Sequence, residues 1–235
     1  MAERAWQLVL EHIERDLLDE RLAPGDRLPS ERDLAADLGV GRSSVREAFR
    51  VLEVMGLIRT ATGSGPSSGA IVIATPSGGL SALLRLQVAA RGFPLADVMR
   101  TRLVMEDAVM ASLATAEKPD TADAHRILEA MDVAGLTAAE FLALDAQLHL
   151  ALAESSGNTV IAAMMTGLRT AIESYVLAGS EQISDWQAMA DRLRAEHRAI
   201  VAAIDAGDPD AARRLVHDHI TGYYTAAGLT PHAHV

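Results

Sequence analysis

Apolar residues recur at Leu8, Val9, Ile13, Leu17 and Leu18, and this spacing of three and four predicts an amphipathic helix over about 4–20. Leu22-Ala23-Pro24-Gly25 ends it. Pro29-Ser30 marks the next start, with the Ser30 hydroxyl placed to accept from the amide of Asp33, and a short helix runs through Leu34, Ala35 and Leu38 to Gly39. After Val40-Gly41-Arg42, the run Ser44-Val45-Arg46-Glu47 predicts a capping box that opens a helix through Ala48, Val51 and Leu52 to Gly56. Two short helices about a tight Gly-containing turn make a helix-turn-helix. From Leu57 the pattern changes: Leu57–Thr60 and Ala70–Ile73 flank a stretch of Gly, Ser and Pro, which predicts a β-hairpin with a loose tip, the wing of a winged helix-turn-helix.

Thr75-Pro76-Ser77-Gly78-Gly79 breaks this pattern. The expected organisation is therefore 1–75 as the winged helix-turn-helix, 76–79 as a linker, 80–229 as an all-helical domain and 230–235 as a tail. Helical periodicity returns in seven stretches, near 79–91, 94–116, 120–132, 138–155, 158–178, 184–206 and 208–227. Thr137-x-x-Glu140 and Ser184-x-x-Gln187 read as capping boxes, and Asp208-Pro209 sets a capping residue before a proline at the first helical position. Short connections between the seven helices predict an antiparallel bundle, so the fold class is mainly α.

Composition narrows the chemistry. Cysteine is absent, so disulfides and thiolate ligands are excluded and any metal site must use His, Asp and Glu. The first residues mix charges into their apolar positions, unlike a signal peptide, and no run approaches about 18 consecutive apolar residues. A soluble, cytoplasmic protein without a membrane partner is expected. The net charge of −11 argues at first against a nucleic-acid partner, since phosphate attracts basic surfaces. Distribution matters more than the sum: within 42–59, Arg42, Arg46, Arg50 and Arg59 face only Glu47 and Glu53. An acidic body with a small basic edge fits a specific DNA reader.

In a helix-turn-helix the second helix lies in the major groove, and residues near its N-terminus reach base edges. Arg42 and Arg46 occupy that position, and arginine bonds bidentately to guanine. Ser43 and Ser44 offer hydroxyls at a helix N-terminus, where a phosphate is favoured by the backbone amides. Arg32, on the preceding helix, is placed to reach the backbone or a flanking base. Any one of these arginines alone reads equally well as a solvated surface residue; the set is more specific. The stretches Pro24-Gly25-Asp26-Arg27-Leu28-Pro29-Ser30-Glu31-Arg32-Asp33-Leu34-Ala35, Val40-Gly41-Arg42-Ser43-Ser44-Val45-Arg46-Glu47-Ala48 and Leu52-Glu53-x-x-Gly56-Leu57-Ile58 closely resemble the GntR family of bacterial regulators over about 4–75. The resemblance implies operator contacts from Arg32, Arg42 and Arg46, with a wing-tip glycine, Gly65 or Gly69, approaching the minor groove. Gly41 departs from the family, which often has Ser or Thr there.

The second constellation is Asp145-x-x-x-His149, whose i,i+4 spacing puts both side chains on one helical face with Phe141, Leu148 and Leu152. His197 lies on the apolar stripe of Leu193, Ile200, Val201 and Ile204, and His219 aligns with Ala212, Leu215 and Tyr223, whereas His217 falls on a more polar side. Each histidine alone is most simply a satisfied core residue. Three of them with a carboxylate favour convergence on one cation, because a lone buried carboxylate costs several kcal/mol unless paired or metal-bound. Zn²⁺, Ni²⁺, Mn²⁺ and Fe²⁺ all suit such a donor set. Arg102-x-x-x-Glu106, Asp145-x-x-x-His149, Ser156-Gly157-Asn158, Glu196-His197 and His219 are similar to the FCD ligand-binding domain of the FadR-type branch of GntR regulators, over about 79–227. That resemblance implies a metal, commonly zinc, on Asp145, His149, His197 and His219. It also implies a small carboxylate effector clamped by Arg102, and a homodimer on a palindromic operator. Glu106 is expected to orient Arg102 by an i,i+4 pair, and Asn158 either to touch the effector or to cap a helix. The expected function is a repressor switched by an organic acid. The alternatives are a regulator that senses the metal itself and a metal-dependent hydrolase, the last disfavoured because no separate base or nucleophile accompanies the cluster.

Overall fold

In the computed structural model, which describes residues 5–61, 69–75 and 77–229, ten helices and one two-stranded antiparallel sheet form among the described residues. The chain divides into two compact units, Met1–Leu80 and Ser81–Val235.

The first unit holds α1 (Ala5–Leu18), α2 (Glu31–Leu38), α3 (Arg42–Val54), β1 (Ile58–Ala61) and β2 (Gly69–Val72). Its core joins Val9 and Ile13 of α1, Leu34 of α2, Val45, Ala48, Phe49 and Leu52 of α3, and Ile58 and Val72 of the hairpin. These are the apolar positions whose spacing predicted the elements. The hairpin pairs Ile58 with Val72 and Ala61 with Gly69, and Arg27 bridges Ile71, so the chain before α2 joins the free edge of β2. Ser30 caps α2 by accepting from the Asp33 amide at 3.2 Å, as its sequence position implied. Gly39 then turns the chain into α3 with φ of 64°.

The capping box expected at Ser44 and Glu47 is absent. Helix α3 starts three residues earlier, at Arg42, and its N-cap is Gly41, which offers no side-chain cap. The amides of Ser44 and Val45 already bond to the Gly41 carbonyl, so Ser44 sits inside the first turn and its hydroxyl is not needed as a cap. The hairpin tip, including Gly65, lies outside the described residues.

The second unit follows from α4 (Ser77–Ala89), which starts inside the Gly-rich stretch read as a linker. The remaining helices are α5 (Leu95–Thr115), α6 (Ala122–Met131), α7 (Ala138–Ser155), α8 (Thr159–Ser180), α9 (Trp186–Asp205) and α10 (Pro209–Ala226). All seven expected helices form. Helix α5 is central, packing against α7, α8, α9 and α10. Thr137 and Glu140 make the predicted capping box of α7, and Asp208 caps α10 ahead of Pro209. The box expected from Ser184 and Gln187 gives way to Asp185, one residue on, whose carboxylate accepts from the Ala188 amide at 3.0 Å. Aspartate caps as well as serine, and α9 starts where the better-placed acceptor lies. Helix α8 has the length and hydropathy of a short membrane span, but Leu168, Ala171 and Ile172 are buried within this unit and Arg169 interrupts it at mid-length.

Gly56 turns the chain from α3 toward β1 with φ of 75°, and a Cβ there would lie 2.3 Å from the Thr75 carbonyl oxygen. Gly39 shares the left-handed backbone, yet a Cβ on it would meet open space. Gly39→Ala should therefore cost about 1–2 kcal/mol, the left-handed penalty alone, and Gly56→Ala clearly more. Urea unfolding of the two variants measures this, and equal costs would contradict the close approach of Thr75.

Candidate functional site

On the first unit, burial of Val45, Ala48, Phe49 and Leu52 turns the opposite face of α3 outward, where Arg42, Ser43, Arg46 and Arg50 are exposed and Ser44 is half-buried. Arg32 on α2 is also exposed, with Nε 3.2 Å from Asp33 Oδ1. Sequence reasoning missed a partner here. Glu31 accepts from Arg46 Nη2 at 2.8 Å and from Arg46 Nε at 3.3 Å. This pair, with the charges of Arg42 and Arg50, holds the Glu31 carboxyl below its ordinary range. The arginines thus form one basic face. Gly69 stands at the start of β2 with φ of 118°; the other wing candidate, Gly65, is outside the described residues.

In the second unit, α7 presents Asp145 and His149 one turn apart, α9 presents His197 and α10 presents His219, and all four are buried. Donor atoms from these four lie within 4.8 Å of one another. His197 Nε2 stands 3.1 Å from Asp145 Oδ1 and 3.1 Å from His219 Nε2. His149 Nε2 is 3.4 Å from His219 Nε2, and Asp145 Oδ1 is 3.5 Å from His219 Nε2 and 3.9 Å from His149 Nε2. Ligands held tetrahedrally at about 2.0–2.1 Å from one ion are separated by about 3.4 Å, and these five separations, from 3.1 to 3.9 Å, bracket that value.

Outer partners set the ring orientations. His219 Nδ1 lies 2.9 Å from Glu196 Oε2, and His149 Nδ1 lies 2.9 Å from Glu106 Oε1, off the line of a straight hydrogen bond. With protons on Nδ1 of His149 and His219, their Nε2 lone pairs face each other in the interior. A cation resolves that repulsion, and carboxylates behind metal-bound imidazoles are the usual supporting arrangement. The donor set therefore fits a divalent metal. Asp145 Oδ2 accepts from Arg169 Nη2 at 2.6 Å. Glu106 Oε1 accepts from Arg102 Nε at 3.1 Å, and Arg102 Nη1 donates to the Tyr224 hydroxyl at 2.9 Å.

These contacts fix the charges. Burial opposes ionisation of Asp145, but the Arg169 charge and the bonds from His197 and His219 outweigh it and hold the carboxyl well below its usual range. Glu106 is likewise brought to about 2 by His149 and Arg102 despite its burial. Burial, then the neighbouring His219, pushes His197 down to about 4. Burial also lowers His149. For His219, burial is outweighed by Asp145 and Glu196, and its value is raised.

A cavity of about 250 Å³ opens beside the cluster between α5, α7 and α8, with Arg102, His149 and Arg169 in its wall. The four expected ligands and Arg102 thus come together. Asn158 does not join them: it is exposed and its side-chain oxygen accepts from the amides of Val160 and Ile161 as the cap of α8. Of its two expected roles the structure gives it the cap. His217 is exposed, as its polar side implied. Arg169 was missed, although it is the first charge in α8 after ten uncharged residues, which was a usable signal. The links from Glu106 to His149 and from Glu196 to His219 join different helices, and no local spacing announces them.

A winged helix-turn-helix ahead of a helical unit with a buried polar centre defines the class of DNA-binding regulators that carry their own ligand domain. Comparison with known proteins agrees. The signature of bacterial regulatory proteins of the gntR family matches residues 7–66, and that of the FCD domain matches 97–222. The chain belongs to the GntR family of transcriptional regulators and carries an FCD domain. It is similar to the HTH-type transcriptional repressor NanR of Cronobacter sakazakii, 29% identical over 93% of this chain and 83% of the relative. The repressor of the same name from Escherichia coli K12 is 31% identical over 91% of this chain and 81% of the relative. Among solved structures, Streptococcus agalactiae GntR shares the fold with a TM-score of 0.64 at 24% identity, covering 93% of this chain and 97% of its own.

The histidine shifts predict a pH dependence. His197 has a folded value near 4, below the ordinary 6.5, so the unfolded chain takes up the proton first. Its stabilisation is complete above about pH 6.5 and is lost as pH falls toward 4, by up to about 3 kcal/mol; His219, raised, opposes this. Denaturant unfolding of metal-free protein across that window should show falling stability, and His197→Gln should flatten the fall. Parallel profiles for the two proteins would show that His197 is not held neutral.

Proposed function

We propose that this protein is a homodimeric repressor that reads a palindromic operator and releases it when a small carboxylate binds at a metal held by Asp145, His149, His197 and His219. The observation that carries the reading is the meeting of three imidazole Nε2 atoms and one carboxylate oxygen within 4.8 Å, backed by Glu106 and Glu196. Zinc is the favoured ion on its preference for tetrahedral nitrogen and oxygen donors. Bound there, it supplies a Lewis-acid anchor for an anion. The protein's own residues do the rest. Asp145 is neutralised by Arg169 and Glu106 by Arg102, so a divalent cation would bring positive charge that these buried pairs do not balance. An anionic ligand in the adjoining cavity balances it, and Arg102 stands in the cavity wall to meet a carboxylate.

On the first unit, Arg42 and Arg46 read base edges, Ser43, Ser44 and Arg32 position the helix on phosphates, and Gly65 lets the wing approach the minor groove. Repression follows from the likeness to the NanR transcriptional repressors, and a DNA-binding regulator of this kind works in the cytoplasm. A regulator answering to the metal alone is the second reading. The cavity that His149 and Arg102 share favours an organic ligand over it.

Gel shifts on operator fragments test the proposal. Wild type loaded with one equivalent of zinc should bind the operator, release it on addition of the effector acid, and hold it when Arg102 is replaced by Ala. His149→Ala should lose stoichiometric metal, and Arg46→Ala should lose operator preference with or without acid. Release from the Arg102→Ala variant at the wild-type acid concentration would refute the clamp.

A further inference from the structure

The cavity wall is divided. Arg102, His149 and Arg169 supply its charged and metal-donor part, and Leu142, Ala146, Ile172 and Val176 on α7 and α8 supply its apolar part. Arg169 is committed, with Nη2 bonded to Asp145 Oδ2 at 2.6 Å and to the Leu142 carbonyl at 3.2 Å. Arg102 has Nε on Glu106 and Nη1 on the Tyr224 hydroxyl, which leaves Nη2 for a ligand. The polar end therefore offers one guanidinium face beside the metal donors, enough for a single carboxylate.

Two threonines in the wall look polar by name. Thr166 Oγ1 donates to the Ala162 carbonyl at 2.9 Å, and Thr170 Oγ1 donates to the Thr166 carbonyl at 2.8 Å. Each spends its one proton on its own helix, so neither has a proton for a ligand. The other polar wall residues away from the cluster, Gln147 and Glu173, are exposed and stand at the mouth. Each hydroxyl of a polyhydroxylated ligand loses water from a donor and an acceptor side, whereas the threonine oxygens here can only accept, and buried polar groups left unpaired are costly. An aliphatic body would bury against the apolar wall. From His149 to the buried Leu142, also in the wall, α7 advances about 10 Å at about 1.5 Å per residue, so the apolar part extends beyond the anchor.

We propose that the effector is a monocarboxylic acid with an apolar body of several carbons, its carboxylate at the metal and Arg102 and its tail along Leu142, Ala146, Ile172 and Val176, in preference to a hydroxylated acid of the same length. This rests on the carboxylate reading above and adds the class of the tail.

Isothermal titration of the zinc-loaded full chain with acetate, hexanoate, gluconate and hexanamide tests it, since acetate probes the anchor alone and hexanoate and gluconate have equal carbon counts. Each buried methylene is worth about fourfold in affinity. Hexanoate should bind at least tenfold more tightly than acetate, gluconate no more tightly than acetate, and hexanamide not at all. Ala146→Leu, which narrows the apolar end, should weaken hexanoate at least fivefold and leave acetate within twofold. Gluconate binding more tightly than hexanoate, or hexanoate only as tightly as acetate, would overturn the apolar tail while leaving the carboxylate anchor standing. Failure of every acid, acetate included, would instead overturn the anchor and the tail with it.

Discussion

Three imidazoles and a carboxylate converge inside a bundle that could have been filled with leucine, and every one of them has to be satisfied there. Buried polar groups without partners cost more than most single interactions return. The rest of the helical unit is arranged around that requirement. Glu106 is fully buried on the central helix α5 because it serves both His149 and Arg102. Arg169 breaks the apolar run of α8 because Asp145 needs a counter-charge. Glu196 lies behind His219 on the helix before it. Remove the convergence, and four buried ionisable side chains lose their reason to be inside.

Much of this was legible in the chain. The helices of both units follow from period and caps, because those signals are local: Thr137 with Glu140, Ser30 with Asp33, and Asp208 before Pro209 each act within one turn. Asp145 and His149 were readable for the same reason, sharing a face at i,i+4. His197 and His219 were readable only as polar residues on apolar stripes; their meeting with Asp145 depends on how α7, α9 and α10 pack. The failures have two causes. At Ser44 and Ser184 a capping pattern was present, but Gly41 and Asp185 took the position, and the boundary moved with them. The i,i+4 pair of Arg102 and Glu106 was readable, but the links from Glu106 to His149, Glu196 to His219 and Arg169 to Asp145 join different helices, so no periodicity could pair them.

The two units use charge in opposite ways. On α3 the arginines are exposed, and only Glu31 restrains Arg46, which suits contacts with a polyanion exchanged against salt. In the helical unit Arg102 is buried and Arg169 largely so, each paired with a carboxylate, so their charge is held for a defined neighbour. Membership of the GntR family, shown by both domain signatures, joins these two chemistries in one regulator. The proposed control of one by the other is a coupling free energy, and it must be reciprocal: an acid that loosens the operator would itself be bound less tightly by operator-bound protein.

The claim on which the account turns is that the interior cluster is a metal centre. X-ray absorption spectroscopy of the chain with one equivalent of zinc tests it most directly. The account predicts three imidazole nitrogens at about 2.0–2.1 Å with one or two oxygens, and loss of that imidazole pattern in the His149→Ala, His197→Ala, His219→Ala triple variant. An unchanged spectrum in the triple variant would place the metal elsewhere and contradict the account.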